Sequence, residues 1–195
     1  MLISRIKKAL KGSRGYTLME VAAVVAVTAT LAAVVVPVAM DKVESSKKAR
    51  ALEDIKSLAS AIATFYSDTG VWPAYSTSSA YQSRVPDVEV LVTAGDDPTI
   101  GTNTGWSLTK TDEAHDQFVT NEPKYDFWNG PYIESLKDKK DPWGQKYVIW
   151  VKGFYTSTHD GWILSAGPNG KIDTVNTSAT LSGDDIGIVL YSYQQ

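Results

Sequence analysis

Arg14-Gly15-Tyr16-Thr17-Leu18-Met19-Glu20 stands immediately before an apolar run, Val21 to Met40, that holds no charged residue. The run is almost entirely Val, Ala and Leu, broken by Thr28, Thr30 and Pro37. Ahead of it, residues 1–15 carry Arg5, Lys7, Lys8, Lys11 and Arg14 and no acid. One carboxylate, Glu20, therefore lies near the start of a segment whose composition belongs in lipid. An ionised side chain at the centre of a membrane helix costs about 2.5–3.5 kcal/mol on insertion scales, and somewhat less near an end. Such a group calls for a partner. Cleavage after Gly15 would create one, because the new amino group on Tyr16 is a cation four residues before Glu20.

This arrangement resembles the type III signal of type IV pilins and type II secretion pseudopilins. The resemblance implies a peptidase that cuts after Gly15 and methylates the amino terminus of Tyr16. It also implies that Glu20 neutralises the amine of a neighbouring subunit during filament assembly. Gly15, Thr17, Leu18 and Glu20 match directly; Tyr16 stands where Phe is commonest, and Met19 where another aliphatic residue is usual. Pro37 falls where these proteins commonly carry a helix-loosening proline. An ordinary secretory signal would need a small-residue cleavage site after its apolar core. Residues 37–40 serve that need only loosely, and such a signal gives no reason for Gly-Tyr-Thr-Leu-Met-Glu ahead of the run. Lys and Arg favour the cytoplasmic side, so the N-terminus is expected inside and the remainder outside.

The chain has 195 residues and a formal charge of −3. Removing the five leader cations takes that charge to −8, and an acidic chain without a basic cluster argues against nucleic acid as a partner. The residues beyond the apolar run are enough for one modest domain. Cysteine is absent, so an exported domain must hold its loops by packing or by a metal.

Residues 16–40 form a helix of about 37 Å, long enough to cross a hydrocarbon core of about 30 Å. Pro37 predicts a bend or loosening near residues 33–37. Helical character continues, because Leu52, Ile55, Leu58, Ala59, Ile62, Phe65 and Tyr66 recur at spacings of three and four. Lys47, Lys48, Arg50, Glu53, Asp54 and Lys56 fill the other face. Ser67-Asp68-Thr69-Gly70, with Pro73 beyond, reads as the stop. Residues 74–124 are rich in Ser, Thr, Asp and Gly and read as surface loops, with Val88–Val92 a short strand or helical turn. Tyr147–Val151, Gly161–Ser165 and Ile186–Tyr193 read as three antiparallel strands packed on the helix.

Later blocks extend the resemblance to the major pseudopilins. They are Phe65 to Pro73, Gly130-Pro131-Tyr132-Ile133, Asp141-Pro142-Trp143-Gly144 with Tyr147, and Ser165 to Gly170 with Asp184-Asp185-Ile186-Gly187. The last pair resembles the family's calcium-binding C-terminal loop. A hard dication takes six to eight oxygen ligands from carboxylates, amide oxygens and backbone carbonyls. Carried over by position, Asn169, Asp184 and Asp185 are the expected side-chain ligands. Asp173 is a further candidate, and the carbonyls of Ala166 and Lys171 are backbone candidates. Asn169 stands where the family usually has Asp, and the segment from Lys171 to Gly183 is longer than usual. The bland alternative is a polar turn followed by an Asp-Asp strand start.

Of the six Trp residues, Trp143, Trp150 and Trp162 are expected in the core, while Trp106 and Trp128 stay open. Asp112-Glu113-Ala114-His115 spells a helicase signature by chance, since no Gly-rich loop ending in Gly-Lys-Ser/Thr accompanies it. His115 and His159 lack zinc-ligand spacing. No nucleophile elbow or paired-carboxylate setting suggests an enzyme.

The expected fold class is α+β and pilin-like, a long N-terminal helix on a small antiparallel sheet with loop-rich insertions. The expected organisation is a cleaved leader (1–15), a transmembrane or filament-core helix (16–40) and an exported head (41–195). The head divides into an amphipathic helix (41–70), a loop-rich region (71–140) and a β-region with the C-terminal loop (141–195). The resemblance implies a structural subunit, foremost the major pseudopilin of a type II secretion system. Its partners would be copies of itself, the prepilin peptidase, minor pseudopilins, the inner-membrane assembly platform and the membrane. The implied location is the inner membrane, single-pass, with the head periplasmic. A type IV pilus or competence pilin is the nearest alternative. A membrane-anchored ligand-binding module, from another class, gives no role to Gly15 and Glu20 together.

Overall fold

A computed structural model describes residues 15–74, 88–156 and 161–191. The leader up to Arg14, His159 and the end of the expected last strand past Tyr191 lie outside the described residues. Two compact units divide at residue 44, one ending at Glu44 and the other beginning at Ser45.

Helix α1, Leu18–Thr69, is 52 residues long and belongs to both units. It continues through Pro37 without an interruption, so residues 33–37 stay helical despite the missing proline N–H. Thr28 and Thr30 turn their hydroxyls back onto carbonyls one turn earlier, those of Val24 and Val25 and of Ala26 and Val27. Each hydroxyl is thereby satisfied within an otherwise apolar stretch. Among the described residues of the first unit every large apolar side chain is open, Val24 and Val34 being 64% and 70% exposed. The helix is long and apolar enough to cross a membrane.

In the second unit α1 buries Ala51, Asp54, Ile55, Leu58, Ala61, Ile62 and Phe65. The expected apolar stripe holds at Ile55, Leu58, Ile62 and Phe65, while Leu52 and Ala59 are half-buried and Ala51 and Ala61 join the buried face. Asp54, expected on the polar face, lies inside, and Tyr66 stays 41% exposed, stacked on Trp72 with ring centroids 4.1 Å apart. The helix stops where the sequence predicts, with the Gly70 N–H donating to the Tyr66 carbonyl at 2.9 Å.

The head is a five-stranded sheet packed on this part of α1. Its strands are β1 (Val90–Val92), β3 (Thr111–Glu113), β4 (Val148–Trp150), β5 (Gly161–Ser165) and β7 (Ile186–Tyr191), in the order β3-β1-β4-β5-β7. A separate two-stranded parallel sheet joins β2 (Thr99–Ile100) to β6 (Lys171–Ile172). The three strands expected from the sequence are β4, β5 and β7, and their pairings are antiparallel. Residues 74–124 do more than loop over the surface. Their described part supplies β1, fully inside the sheet and antiparallel to β4, and β3, which pairs parallel with β1 at the edge. The sheet is therefore mixed.

Both faces of the sheet are covered. Leu91, Ile149 and Ile163 share a cluster with Ile55, Leu58, Ile62 and Phe65 of α1. On the opposite face Val90, Val92, Val148, Trp150, Trp162 and Leu164 pack with Trp106 and Ile172. Alternate side chains of β1, β4 and β5 thus enter two different cores, the geometry of period-two alternation between buried faces. Trp150 and Trp162, opposite each other in β4 and β5, fill the second core. Trp106 joins them, its ring centroid 5.0 Å from that of Trp150. Trp143 is only half-buried, packed at the margin of the α1-side cluster, as is Trp128.

Candidate functional site

Two regions carry the chemistry singled out by the sequence. The first is the start of α1. Thr17 is its N-cap: the Glu20 N–H donates to Thr17 Oγ1 at 3.2 Å, and Glu20 Oε2 accepts from the Thr17 N–H at 2.9 Å. The Thr17 hydroxyl donates to the same oxygen at 3.0 Å. This is a reciprocal capping box, in which a Thr and a Glu three residues apart satisfy two otherwise orphaned backbone donors. The signal for it is present in the sequence, since Thr-Leu-Met-Glu has the capping-box spacing, and it gives Glu20 a role beyond that of a charge requiring a partner. The cap also fixes where the carboxylate sits, folded back over the first turn onto the residue next to Tyr16. Tyr16 is 86% exposed, and Gly15 has open space around its Cα. Pro37, the other residue expected to matter for assembly, lies far along the open stretch of α1.

The second region is the C-terminal loop between β5 and β7. Asp184 Oδ2 accepts from the Asn169 N–H at 3.0 Å, and Asp185 Oδ2 accepts from the N–H groups of Asp173 and Thr174 at 3.0 and 2.7 Å. The Asn169 amide donates to Asp173 Oδ2 at 3.2 Å and accepts from the Lys171 N–H at 2.6 Å. The four expected side chains, Asn169, Asp173, Asp184 and Asp185, are thus joined through one hydrogen-bonded loop. The backbone candidates stand at its base: Ala166 is buried at the end of β5, and Lys171 lies in β6.

The electrostatics of the loop are divided. Lys171 Nζ lies 2.6 Å from Asp173 Oδ1, and that ammonium holds the Asp173 carboxyl below its ordinary range. Burial pushes Asp185 the other way, upward, against the hydrogen bonds from Thr174 and Asp173. Asp184 Oδ1 and Asp185 Oδ1 are both buried and have no hydrogen-bond partner. A buried carboxylate oxygen left unpaired is costly, and two on adjacent residues suit a hard cation better than a neutral donor. Among the described residues no three carboxylate or imidazole groups gather closely enough to hold a metal by themselves. Calcium here would therefore draw on the Asn169 amide oxygen and on carbonyls as well as on carboxylates.

The family model described as "Type II secretion system (T2SS), protein G" matches residues 106–184, from Trp106 to Asp184. The chain is 28% identical over 167 residues to the type II secretion system core protein G of Escherichia coli (strain K12), covering 86% of this chain and 90% of that protein. It is 33% identical over 72 residues to the fimbrial protein EcpC of Eikenella corrodens, covering 37% of this chain and 47% of that protein. No solved structure matches the chain. With its long N-terminal helix, mixed sheet and C-terminal loop, the chain resembles the type IV pilin and pseudopilin family, on the side of the type II secretion pseudopilins.

Proposed function

We propose that the chain is the major subunit of a type II secretion pseudopilus, cut between Gly15 and Tyr16, methylated at Tyr16 and polymerised through α1. The observation that carries this reading is the start of α1, where a capped carboxylate, Glu20, heads a helix whose valines have no cover of their own. Lipid covers those side chains before assembly, and the helices of neighbouring copies cover them afterwards. Small Ala and Val side chains suit the close approach of helices in an apolar medium. The amine of Tyr16 on one copy supplies the cation that Glu20 of the next requires, which removes the cost of a lone charge in lipid. The subunit enters the inner membrane with its N-terminus cytoplasmic and its head periplasmic. It meets the prepilin peptidase there, and then the minor pseudopilins and assembly platform. Its role is mechanical, and no enzymatic step is assigned to it.

Calcium belongs to the same proposal. Asn169, Asp173, Asp184 and Asp185, with the carbonyls of Ala166 and Lys171, are the groups that would hold it, and the unpaired oxygens of Asp184 and Asp185 support this. The ion would neutralise the carboxylates and clamp the loop in a chain that has no cysteine.

The similarity to a fimbrial protein favours a second reading, a type IV pilin whose filament reaches the cell surface. Mass spectrometry of the membrane-extracted protein, with imaging of its filaments, tests both. A mature chain starting at Tyr16 supports either, and the position of filaments relative to the outer membrane separates them. A mature chain retaining residues 1–15, or one starting near Met40, rejects both.

A further inference from the structure

The C-terminal loop is held from outside by a segment that neither the metal nor the assembly reading uses. Residues 99–106 run along it and bind it at five points. The Thr99 N–H donates to the Gly170 carbonyl and the Gly101 N–H to the Ile172 carbonyl, both at 2.9 Å, in the parallel β2–β6 pairing. The Asn176 N–H donates to the Thr104 carbonyl at 2.9 Å, and the Asn176 amide to the Gly105 carbonyl at 2.7 Å. Finally the indole N–H of Trp106 donates to the Thr174 carbonyl at 2.8 Å.

Thr174 is the junction. It is fully buried, its N–H donates to Asp185, and its hydroxyl accepts from the Ser182 N–H at 3.0 Å. Trp106, anchored in the second core against Trp150, therefore reaches the Asp185 carboxylate and the far side of the loop through one residue. The close fit requires glycine at two places. A Cβ on Gly101 would lie 2.5 Å from the Ile172 carbonyl oxygen, and one on Gly105, whose φ is +75°, would lie 2.6 Å from the Asn176 side chain.

We propose that residues 99–106 form a non-covalent strap that closes the C-terminal loop before any metal binds, with Trp106 as a positioning residue acting through Thr174. The strap does the work that a disulfide would do in a chain possessing cysteine. Its part in metal affinity rests on the calcium reading, because it holds Asp173 and Asp185 in place before an ion arrives and so lowers the cost of ordering on binding. The closure itself does not.

The test uses the full chain in detergent micelles, with chelator present. Trp106→Phe keeps the ring in the core but deletes the bond to Thr174. Asn176→Ala deletes the bond to Gly105 and is the gentler variant. Both should speed hydrogen exchange at the amides of Asp173, Thr174, Asn176 and Ser182 by about tenfold or more, as local opening of a loop does. Amides of β4 and β5 should keep their protection. Unchanged exchange in the loop of both variants overturns the strap, and so does equal acceleration in β4 and β5, which would make these residues mere core packing. Adding calcium chloride then addresses the other reading separately. Variants that recover protection support an ion in this loop. Variants that stay fast reject the ion, while the chelator result for the strap stands.

Discussion

The Tyr147 hydroxyl donates to the Asp54 carboxylate at 2.8 Å, tying the segment before β4 to the buried face of α1. Lys139 pairs with the other oxygen of Asp54. A carboxylate inside an otherwise apolar helix face is thus shared between a phenol and an ammonium, and the two together offset its desolvation. Burial and the facing carboxylate push the Tyr147 pKa up, so this phenol keeps its proton and donates it to Asp54. Tyr147→Phe should cost about 1 kcal/mol, the net value of one hydrogen bond. Asp54→Ala should cost more, about 3 kcal/mol, because it strands a buried phenol and an ammonium without their acceptor. Denaturant unfolding of the two variants measures the difference, and equal losses would mean that the pair contributes only packing.

Asp185 predicts a pH dependence of known sign. Its carboxyl titrates above the ordinary value of 3.8 because burial penalises the charge. The folded state therefore holds this proton more tightly than the unfolded chain. The associated stability is complete below the unfolded value and is lost as pH rises through the folded one. In chelator, Asp185→Asn should therefore gain on the unmutated chain as pH rises from about 4 to about 7. Melting curves across that range check it, and a gap that shrinks with rising pH would contradict the assignment. Asp173, held below its ordinary range by Lys171, contributes in the opposite sense, so its stabilisation is lost on acidification.

Calcium should raise the melting temperature of the full chain in detergent above its value in chelator. An ion at a hundredfold excess over its Kd adds about 2.7 kcal/mol, or about 5–10 °C for a chain of this size. Asp184→Ala together with Asp185→Ala should erase the difference. Identical melting of the unmutated chain in calcium and in chelator would remove the ion from the account.

The main outlines of the fold were legible because they rest on long patterns. The apolar run from Val21 to Met40, the stripe from Leu52 to Phe65 and the stop at Gly70 are repeated or punctuated signals, and α1 follows them. Tyr147–Val151 and Gly161–Ser165 were legible as strands. Their unbroken apolar character also signalled burial on both faces, since a half-exposed strand would alternate. That second layer was missed, and with it the place of Trp106. Strand β3, Thr-Asp-Glu, offered no apolar signal at all. It is a parallel edge strand, where charge discourages further pairing. Asp54 misled because helical position alone cannot tell a solvated acid from one paired across 85 residues with Lys139. At the C-terminal loop the sequence named the acidic groups, but not Thr174, whose backbone bonds link Asp185 to Trp106.

The start of α1 offers the most direct test of the central claim, because cap and charge can be separated there. A glutamine serves a capping box as well as a glutamate, so Glu20→Gln keeps the bonds to Thr17 and removes only the charge. Glu20→Ala removes both, and neither variant should impair insertion, since each makes the helix less polar. The measurement is the yield of filaments, by electron microscopy and sedimentation, from membranes holding equal amounts of cleaved subunit. If Glu20 pairs with the Tyr16 amine of a neighbour, Glu20→Gln should fail to polymerise as badly as Glu20→Ala. Normal filaments from Glu20→Gln would contradict the account and leave Glu20 a helix cap alone.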